Sequence, residues 1–435
     1  MRVSNRAGSS VHAFGVAAGL VALGLGWETA AAAQPCAYVT NLMSNTVSVI
    51  DAATNTVTHT IPVGDNPDGI ALPRTDGVAY VANFLSNDVS VIDTFGNVVT
   101  TTIPVGHGPV GIAVIPGNAF VYVANRTDST VSVIDFETNT VTATVPVGAS
   151  PEGIAIGPDA AHVYVTNSLP DGPGHVSVID VATNAVTATI PVGVRPNRIS
   201  FDPDGRFGYV ANFGSFSLSV FDPSTNVVTG TVGLSLKPNA IAVTPDGRSA
   251  YLAHAGSSSV SIIQTATNTF IAAIDVGDEP SAIAHTADTL LTYVANFRSD
   301  TVSVISRPMT NDVIATVAVG HGPFAVAVGY GSCAPLPTPT PTVPPPTATF
   351  TAVPLPTATA TVTPPFTPTS TPTSTPLPTL TPTPSATPPP TNTPAPASDG
   401  GGGCAIASAQ ATATDDTWGW GLLLVGAVAL RRRRQ

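Results

Sequence analysis

The sequence predicts an all-β chain, a seven-bladed β-propeller, and three observations carry that prediction. The first is a Tyr-Val-Thr/Ala-Asn phrase whose aromatic residue recurs at Tyr38, Tyr80, Tyr122, Tyr164, Tyr209, Tyr251 and Tyr293, in steps of 42, 42, 42, 45, 42 and 42 residues. A fixed period of this size marks an array of supersecondary units that bury their faces only against neighbours. The second is the pattern within each period, where β-branched and small polar residues alternate with period 2, as a pleated face packed on one side requires. The third is that the 3.6-residue periodicity of helices is absent from the array, which excludes helical repeats.

The elements follow in order from one copy, Tyr122 to Pro151, which reads YVANRTDSTVSVIDFETNTVTATVPVGASP. The tyrosine phrase is one strand, Val131 to Asp135 (VSVID) a second and Val141 to Val147 (VTATVPV) a third. Turn chemistry separates them: Thr138-Asn139, Gly148 to Pro151, and in another copy Pro245-Asp246-Gly247. Gly153 to Ala155 (GIA) is small and apolar and suits the crowded innermost strand. Four strands in about 42 residues is the arithmetic of a propeller blade.

The array starts at Tyr38 with no innermost strand before it, and ends with Phe324 to Val328 (FAVAV), an innermost strand with no successor. Inner strands are expected to begin near Gly69, Gly111, Gly153, Ile199, Ala240, Ala282 and Ala325. The orphan strands at the two ends therefore pair and close the ring, which removes the free edges that would template aggregation. Placed in the frame of the second repeat, Cys333 falls on Ala119 and Cys36 on Phe120. The two thiols flank the one hairpin the chain does not make covalently, and a Cys36–Cys333 disulfide is expected.

The phrases YVTN and YVAN, with VSVID, TN, PVG and P-x-G-IAV, resemble the YVTN family of β-propeller repeat proteins, related to the propellers of archaeal surface-layer proteins. The resemblance spans about residues 36 to 331. It implies a seven-bladed propeller in an extracellular setting and no particular reaction, because propellers host unrelated functions.

The ends set the expected compartment. Arg2 and Arg6 precede an apolar run from Phe14 to Trp27, and Ala31-Ala32-Ala33 stands before Gln34. This reads as a secretory signal peptide over residues 1–33, cleaved after Ala33. The propeller then occupies 34–334. Residues 335–399 are dominated by Thr-Pro and read as a stalk or spacer without a packed core. Residues 400–435 hold Gly400 to Cys404 (GGGGC), an apolar run from Trp418 to Leu430 and four arginines, Arg431 to Arg434. That layout resembles the tripartite GlyGly-CTERM and MYXO-CTERM sorting signals of bacterial surface proteins, which implies processing near Cys404. A retained transmembrane tail anchor is the alternative, although the apolar run is short of the roughly 20 residues a spanning helix needs. The chain is expected at the cell surface or outside the cell, touching membrane only through this segment.

Within 34–334, nine of the 15 Lys and Arg residues remain once Arg2, Arg6 and Arg431 to Arg434 are set aside, and 23 of the 27 Asp and Glu residues once Glu28, Asp399, Asp415 and Asp416 are. A domain near −14 repels phosphate backbones, so nucleic acid is excluded as a partner. There is no G-x-S-x-G, H-E-x-x-H, C-x-x-C or phosphate-binding glycine loop. All three tryptophans (Trp27, Trp418, Trp420) lie outside the array, against tryptophan-docked cofactors or glycans. No cofactor or metal is assigned, and His59, His162 and His285 read as surface or packing residues. The repeated asparagines (Asn41, Asn83, Asn125, Asn167, Asn212, Asn296) read as turn-stabilising amides bonded to backbone, with His254 a drifted copy.

Variable positions in a rigid repeat are the better guide to a site. The loop before each inner strand shares one face with the loop after each tyrosine strand. Around that channel mouth it supplies Asp65, Asp68, His107, Glu152, Arg195, Asn197, Arg198, Lys237, Asn239, Asp278, Glu279 and His321. Arg195, Arg198 and Lys237 form a basic arc on adjacent blades, suited to an anionic partner or else balanced by carboxylates such as Asp202. His321, Asp65 and His107 span three consecutive blades, residue types able to hold a cation, though equivalent positions on neighbouring blades ordinarily sit too far apart to share an ion. The fourth copy's longer loop, Leu169 to His175, is a further contact point. The reading that follows is a monomeric, non-enzymatic surface module binding a protein, glycan or envelope component. The alternative is an enzyme resembling the seven-bladed lactonase propellers, with acid–base residues at the mouth.

Overall fold

The structure, a computed structural model, describes residues 34–333 apart from 74–76, 118, 170–171 and 308–309. The expected signal peptide, Thr/Pro-rich stalk and C-terminal signal, with Ala33 and Cys404, lie outside the described residues. Twenty-eight strands form seven four-stranded antiparallel sheets. Blade 1 is assembled from both ends of the chain: β28 (Pro323–Gly331) lies innermost, followed by β1 (Gln34–Asn41), β2 (Thr46–Asp51) and β3 (Thr56–Pro62). Blades 2 to 7 each use four consecutive strands, with innermost strands β4 (Pro67–Ala71), β8 (Pro109–Val114), β12 (Pro151–Ile156), β16 (Pro196–Phe201), β20 (Lys237–Val243) and β24 (Pro280–His285).

Closure is as the orphan strands require. Along the β1–β28 ladder Cys36 faces Gly329, Tyr38 faces Ala327 and Thr40 faces Ala325. Cys36 and Cys333 form a disulfide across this seam with Cα atoms 5.8 Å apart, and both half-cystines are fully buried.

No blade owns a core. Each of seven apolar clusters joins two neighbouring blades, and one joins blade 7 to blade 1 through Tyr293, Val302 and Val304 against Val39 and Ile50. All seven repeat tyrosines are at most 2% exposed. Several also reach the next blade through the hydroxyl: Tyr80 donates to Asn139 Oδ1 at 3.2 Å, Tyr122 to Asn184 Oδ1 at 2.9 Å and Tyr251 to Asn311 Oδ1. Those acceptors are the asparagines of the Thr-Asn turns, held in the left-handed region (φ 53° at Asn139, 52° at Asn184) that Asn tolerates better than most residues. Two phrases of the repeat thus meet across a blade boundary, so the period in the sequence is also the unit of adhesion.

The asparagine ending each tyrosine strand differs from expectation. Its amide donates to a serine hydroxyl on the adjoining strand, at 2.9 Å for Asn41–Ser48, Asn83–Ser90, Asn125–Ser132, Asn167–Ser177, Asn212–Ser219 and Asn296–Ser303. Turn backbone is not the main partner, because the side chain points into the sheet, where the serine of V-S-V-I-D lies on the same face. His254 makes the equivalent contact, Nε2 to Ser261 Oγ at 2.7 Å, and is buried.

Inner strands also begin two or three residues before the expected positions, at the proline in six blades and at Lys237 in the seventh, and the ladder to the second strand carries a bulge there, as between Pro67 and Ile70. The residues inside the bulge approach the next inner strand closely. A Cβ on Gly69, Gly111 or Gly153 would fall 2.2–2.3 Å from the carbonyl oxygen of Val110, Glu152 or Asn197, so these positions exclude side chains. The insertion in the fourth copy lengthens a hairpin instead of hanging free: β14 (Pro173–Asp180) and β15 (Ala185–Val194) are the longer strands of their blade, with Pro173 opposite Val194.

Candidate functional site

One face of the ring is assembled by pairing of two loop sets. Leu42 N donates to Gly322 O, Phe84 N to Asn66 O, Arg126 N to Gly108 O, Phe213 N to Arg195 O and Phe297 N to Glu279 O, all within 2.8–2.9 Å. The residue just before each proline is left-handed at Asn66, Gly108, Ser150, Arg195, Glu279 and Gly322, with φ of 47° to 65°. Gly and Asn suit that conformation. Arg195 and Glu279 hold it at a cost of about 1 kcal/mol, and backbone strain of this kind concentrates at functional positions.

The first bulge residue after each proline reads Asp68, Val110, Glu152, Asn197, Asn239, Ser281 and Phe324 around the channel. The next reads Gly69, Gly111, Gly153, Arg198, Ala240, Ala282 and Ala325. A long side chain enters this small-residue column at Arg198 alone. Its Nη2 lies 3.3 Å from Asp68 Oδ1, joining blade 5 to blade 2, and its guanidinium packs on the Phe324 ring, 5.8 Å from the centroid. Phe324 meets Phe297 edge-on at 6.2 Å.

Beside this bar, Arg126 Nε sits 2.9 Å from Glu152 Oε1. Burial pushes the Glu152 carboxyl up to about 7, with Arg126 pulling down, Asp68 pushing further up, and Arg198 and Arg195 pulling down. Burial likewise raises Asp68, opposed by Arg198 and Arg126. Arg126 and Arg198 thus act on both carboxylates in one low-dielectric space, with Arg195 reaching Glu152 from the rim, and each charge acts over a longer range there than in water.

Arg195 and Lys237 stay at the rim, where both face the Phe213 ring, with Arg195 Cζ at 5.0 Å and Lys237 Nζ at 5.5 Å from its centroid. The basic arc expected from the sequence is therefore split, two cations on an aromatic platform and one spanning the channel. Asp202 is not its counter-charge. That carboxylate is buried just past the far end of β16 and pairs with Arg206, Nε to Oδ2 at 3.6 Å, because the six-residue strand separates it from the mouth.

The remaining rim residues bond within their own corners. His107 Nδ1 is 3.0 Å from Asp128 and His321 Nδ1 is 2.8 Å from Asp300, while Asn45 Nδ2 donates to Asp65 Oδ1 at 2.7 Å. The arc of His321, Asp65 and His107 is thus engaged residue by residue, and among the described residues no group of three or more His, Cys, Asp or Glu is placed to hold a metal ion. Asp278 Oδ1 accepts from Ser258 Oγ at 2.6 Å, and Glu279 pairs with Arg298. Asn197 Nδ2 donates to Asn239 Oδ1 at 2.7 Å, and Asn239 Nδ2 reaches Pro280 O at 3.5 Å, a chain of amides running along the wall of blades 5 to 7.

Arg126, Phe84, Phe213, Phe297 and Phe324 were not singled out from the sequence. The signal was present: the position after each repeat Asn or His reads Leu42, Phe84, Arg126, Ser168, Phe213, Ala255 and Phe297, a column as variable as the loops before it. Large apolar side chains read as core until the ring places them at the mouth.

The fold and this site define a seven-bladed β-propeller with a charged, aromatic-edged channel mouth. Residues 111–294 match the model of the Choice-of-anchor I domain. No curated protein matches the chain in sequence. Among solved structures, hydrazine synthase of Kuenenia stuttgartiensis superposes with a TM-score of 0.58 at 20% identity, covering 63% of this chain and 92% of that one. A functionally unknown protein from Desulfotomaculum acetoxidans does so at 0.60 and 17% identity, over 68% of this chain and 99% of its own. A putative 6-phosphogluconolactonase from Bacteroides uniformis gives 0.58 and 17% identity, with the same coverage. At these identities the likeness establishes the fold alone.

Proposed function

We propose that the chain is an exported, surface-displayed propeller that binds an anionic group of an envelope component or surface partner at its channel mouth, without catalysis. The observation that carries this reading is charge placement. Four of the nine basic residues between positions 34 and 334 (Arg126, Arg195, Arg198 and Lys237) gather at the mouth of a strongly acidic domain. The match to a Choice-of-anchor domain, the signal-peptide pattern and the stalk with its sorting-like tail all support display outside the cell. Half-buried cations of this kind at a solvent-open mouth attract an anionic partner over roughly a Debye length, about 8 Å at physiological salt.

The test is attachment of the mature exported protein to its own cell envelope. Arg195→Glu together with Lys237→Glu is expected to abolish attachment while the melting curve stays in place, and wild-type attachment is expected to weaken with salt. Unchanged attachment in the double variant would move the recognition face elsewhere, first to the hairpin of the fourth copy. For the tail, mass spectrometry of the surface form is expected to lack peptides from Trp418 to Gln435, and Cys404→Ala to hold the chain at the inner membrane.

The alternative, a lactonase-like hydrolase, draws support from one observation: Glu152, held near neutrality beside Arg126, has the character of a general acid or base. A lactone hydrolysis screen decides it, since an enzyme would turn over at least one lactone and lose that activity in Glu152→Gln.

A further inference from the structure

The mouth has two sides of different chemistry. Cations gather on blades 3 to 6, where Arg126 holds Glu152, Arg198 crosses to Asp68, and Arg195 and Lys237 share the Phe213 ring. Apolar groups gather on blades 7, 1 and 2. Phe297 meets Phe324 at 6.2 Å. A Cβ on Gly322 would touch both Phe297 and Met43, and one on Gly108 would touch Phe84, so these side chains lie over the corners at the entrance. Met43 is 64% exposed and Leu85, its counterpart on blade 2, is 63% exposed. Arg198 stands where the two sides meet, on the Phe324 ring at 5.8 Å with its Nη2 on a carboxylate.

We propose that Arg198 is the anchor of a binding site for an organic carboxylate carried on an aromatic or apolar body, and that Asp68 occupies that anchor when the site is empty. The ligand carboxylate takes the place of the Asp68 carboxylate on the guanidinium, and the body rests against Phe324 and Phe297. No bond is made or broken, and one anionic acceptor replaces another. The pairing already present shows that Arg198 accepts a carboxylate in this position, and Arg suits planar carboxylates through its fork of donors. Arg126 and Arg195, whose fields both reach Glu152, keep the surroundings favourable to an added negative charge. Apolar area buried against the rings adds to the affinity. A small hydrophilic anion would forgo that contribution, and a neutral isostere would forgo the guanidinium.

The inference rests on the mouth being the recognition face, and its experiment separates the two. The full exported protein is titrated calorimetrically with phenylacetate, acetate and phenylacetamide. Phenylacetate is expected to bind at least about tenfold more tightly than either analogue, about 1.4 kcal/mol. Arg198→Gln is expected to lose that binding, and Phe324→Ala to lose the preference over acetate. Asp68→Asn, which removes the competitor, is expected to bind phenylacetate more tightly than wild type. Opposite effects from the two members of one ion pair cannot come from a shared folding defect, and Arg206→Gln on the far face should change nothing. Absent or unselective phenylacetate binding in the wild type, or weaker binding in folded Asp68→Asn, overturns the proposal. Should these fail while envelope attachment still depends on Arg195 and Lys237, only the ligand class is wrong. Should they succeed while attachment is indifferent to those residues, the recognition reading is wrong and the carboxylate site stands.

Discussion

Arg198 Nη2 lies 3.3 Å from Asp68 Oδ1, although the two residues are 130 positions apart and belong to the inner strands of blades 5 and 2. In a ring of seven these blades are three steps apart, so the pair spans the channel. It ties together blades that share no apolar cluster. Both side chains are mostly buried, Arg198 at 21% and Asp68 at 11% exposure, which makes the loss of one partner more costly than the loss of both.

Asp68→Asn is therefore expected to lower unfolding free energy by about 3 kcal/mol, the low end of the range for breaking a buried pair, because water still reaches Arg198. Adding Arg198→Leu is expected to recover most of it. Denaturant titration of the two variants checks this, and a double variant less stable than Asp68→Asn would contradict it.

The Cys36–Cys333 bridge closes a loop of 297 residues. In the chain-entropy account such a bridge contributes about 5 kcal/mol as an upper bound. Non-reducing peptide mapping of mature protein is expected to recover the two cysteines linked. Reductant should lower the melting temperature, with hydrogen exchange rising first along the β1–β28 ladder, the one seam without chain continuity. Free thiols in exported material would refute the pairing in the cell.

Two buried groups give stability opposite dependences on pH. Burial depresses His285 from 6.5 to about 4, its ring held between Thr292 Oγ1 at 2.8 Å and Ala242 O at 3.3 Å. Its neutral form is favoured on folding, so its contribution is whole above pH 6.5 and is lost as pH falls toward 4. Glu152 is raised from 4.5 to about 7. Its contribution is whole below pH 4.5 and is lost as pH rises through 7. Each shift corresponds to at most about 3 kcal/mol at 1.36 kcal/mol per unit. Melting profiles against pH are expected to flatten between 4 and 6.5 in His285→Gln and between 4.5 and 7 in Glu152→Gln. A Glu152→Gln profile parallel to wild type in that window would show that the carboxyl is not perturbed.

His254 occupies the place that asparagine holds in the other six copies, and it bonds the same serine. His254→Asn is expected to stay close to wild type, whereas His254→Ala, which removes a buried side chain and leaves half-buried Ser261 without that partner, should cost about 1–2 kcal/mol. Chemical denaturation distinguishes them, and equal loss in both variants would mean that ring packing, not the hydrogen bond, sets the cost.

Period and alternation made the blades legible because both are local: each strand, turn and asparagine corner repeats its own cause every 42 residues. Even ring closure and the disulfide could be read from residue order, since a missing inner strand at one end and a surplus one at the other leave a single way to complete the sheet. Contacts across the channel are not local. Asp202 is only four residues from Arg198 along the chain, yet the extended strand carries it past the far end of β16, away from the mouth. Arg126 and the phenylalanines looked like ordinary variation between repeats. By itself the sequence determined the propeller, its seven blades and the clasp, through contacts between adjacent elements. Only the tertiary structure decided that Arg198 meets Asp68, that Arg195 and Lys237 share one ring, and that charge and aromatic surface face each other across the mouth. Closing the array into a ring brings together residues that no nearest-neighbour rule along the chain connects.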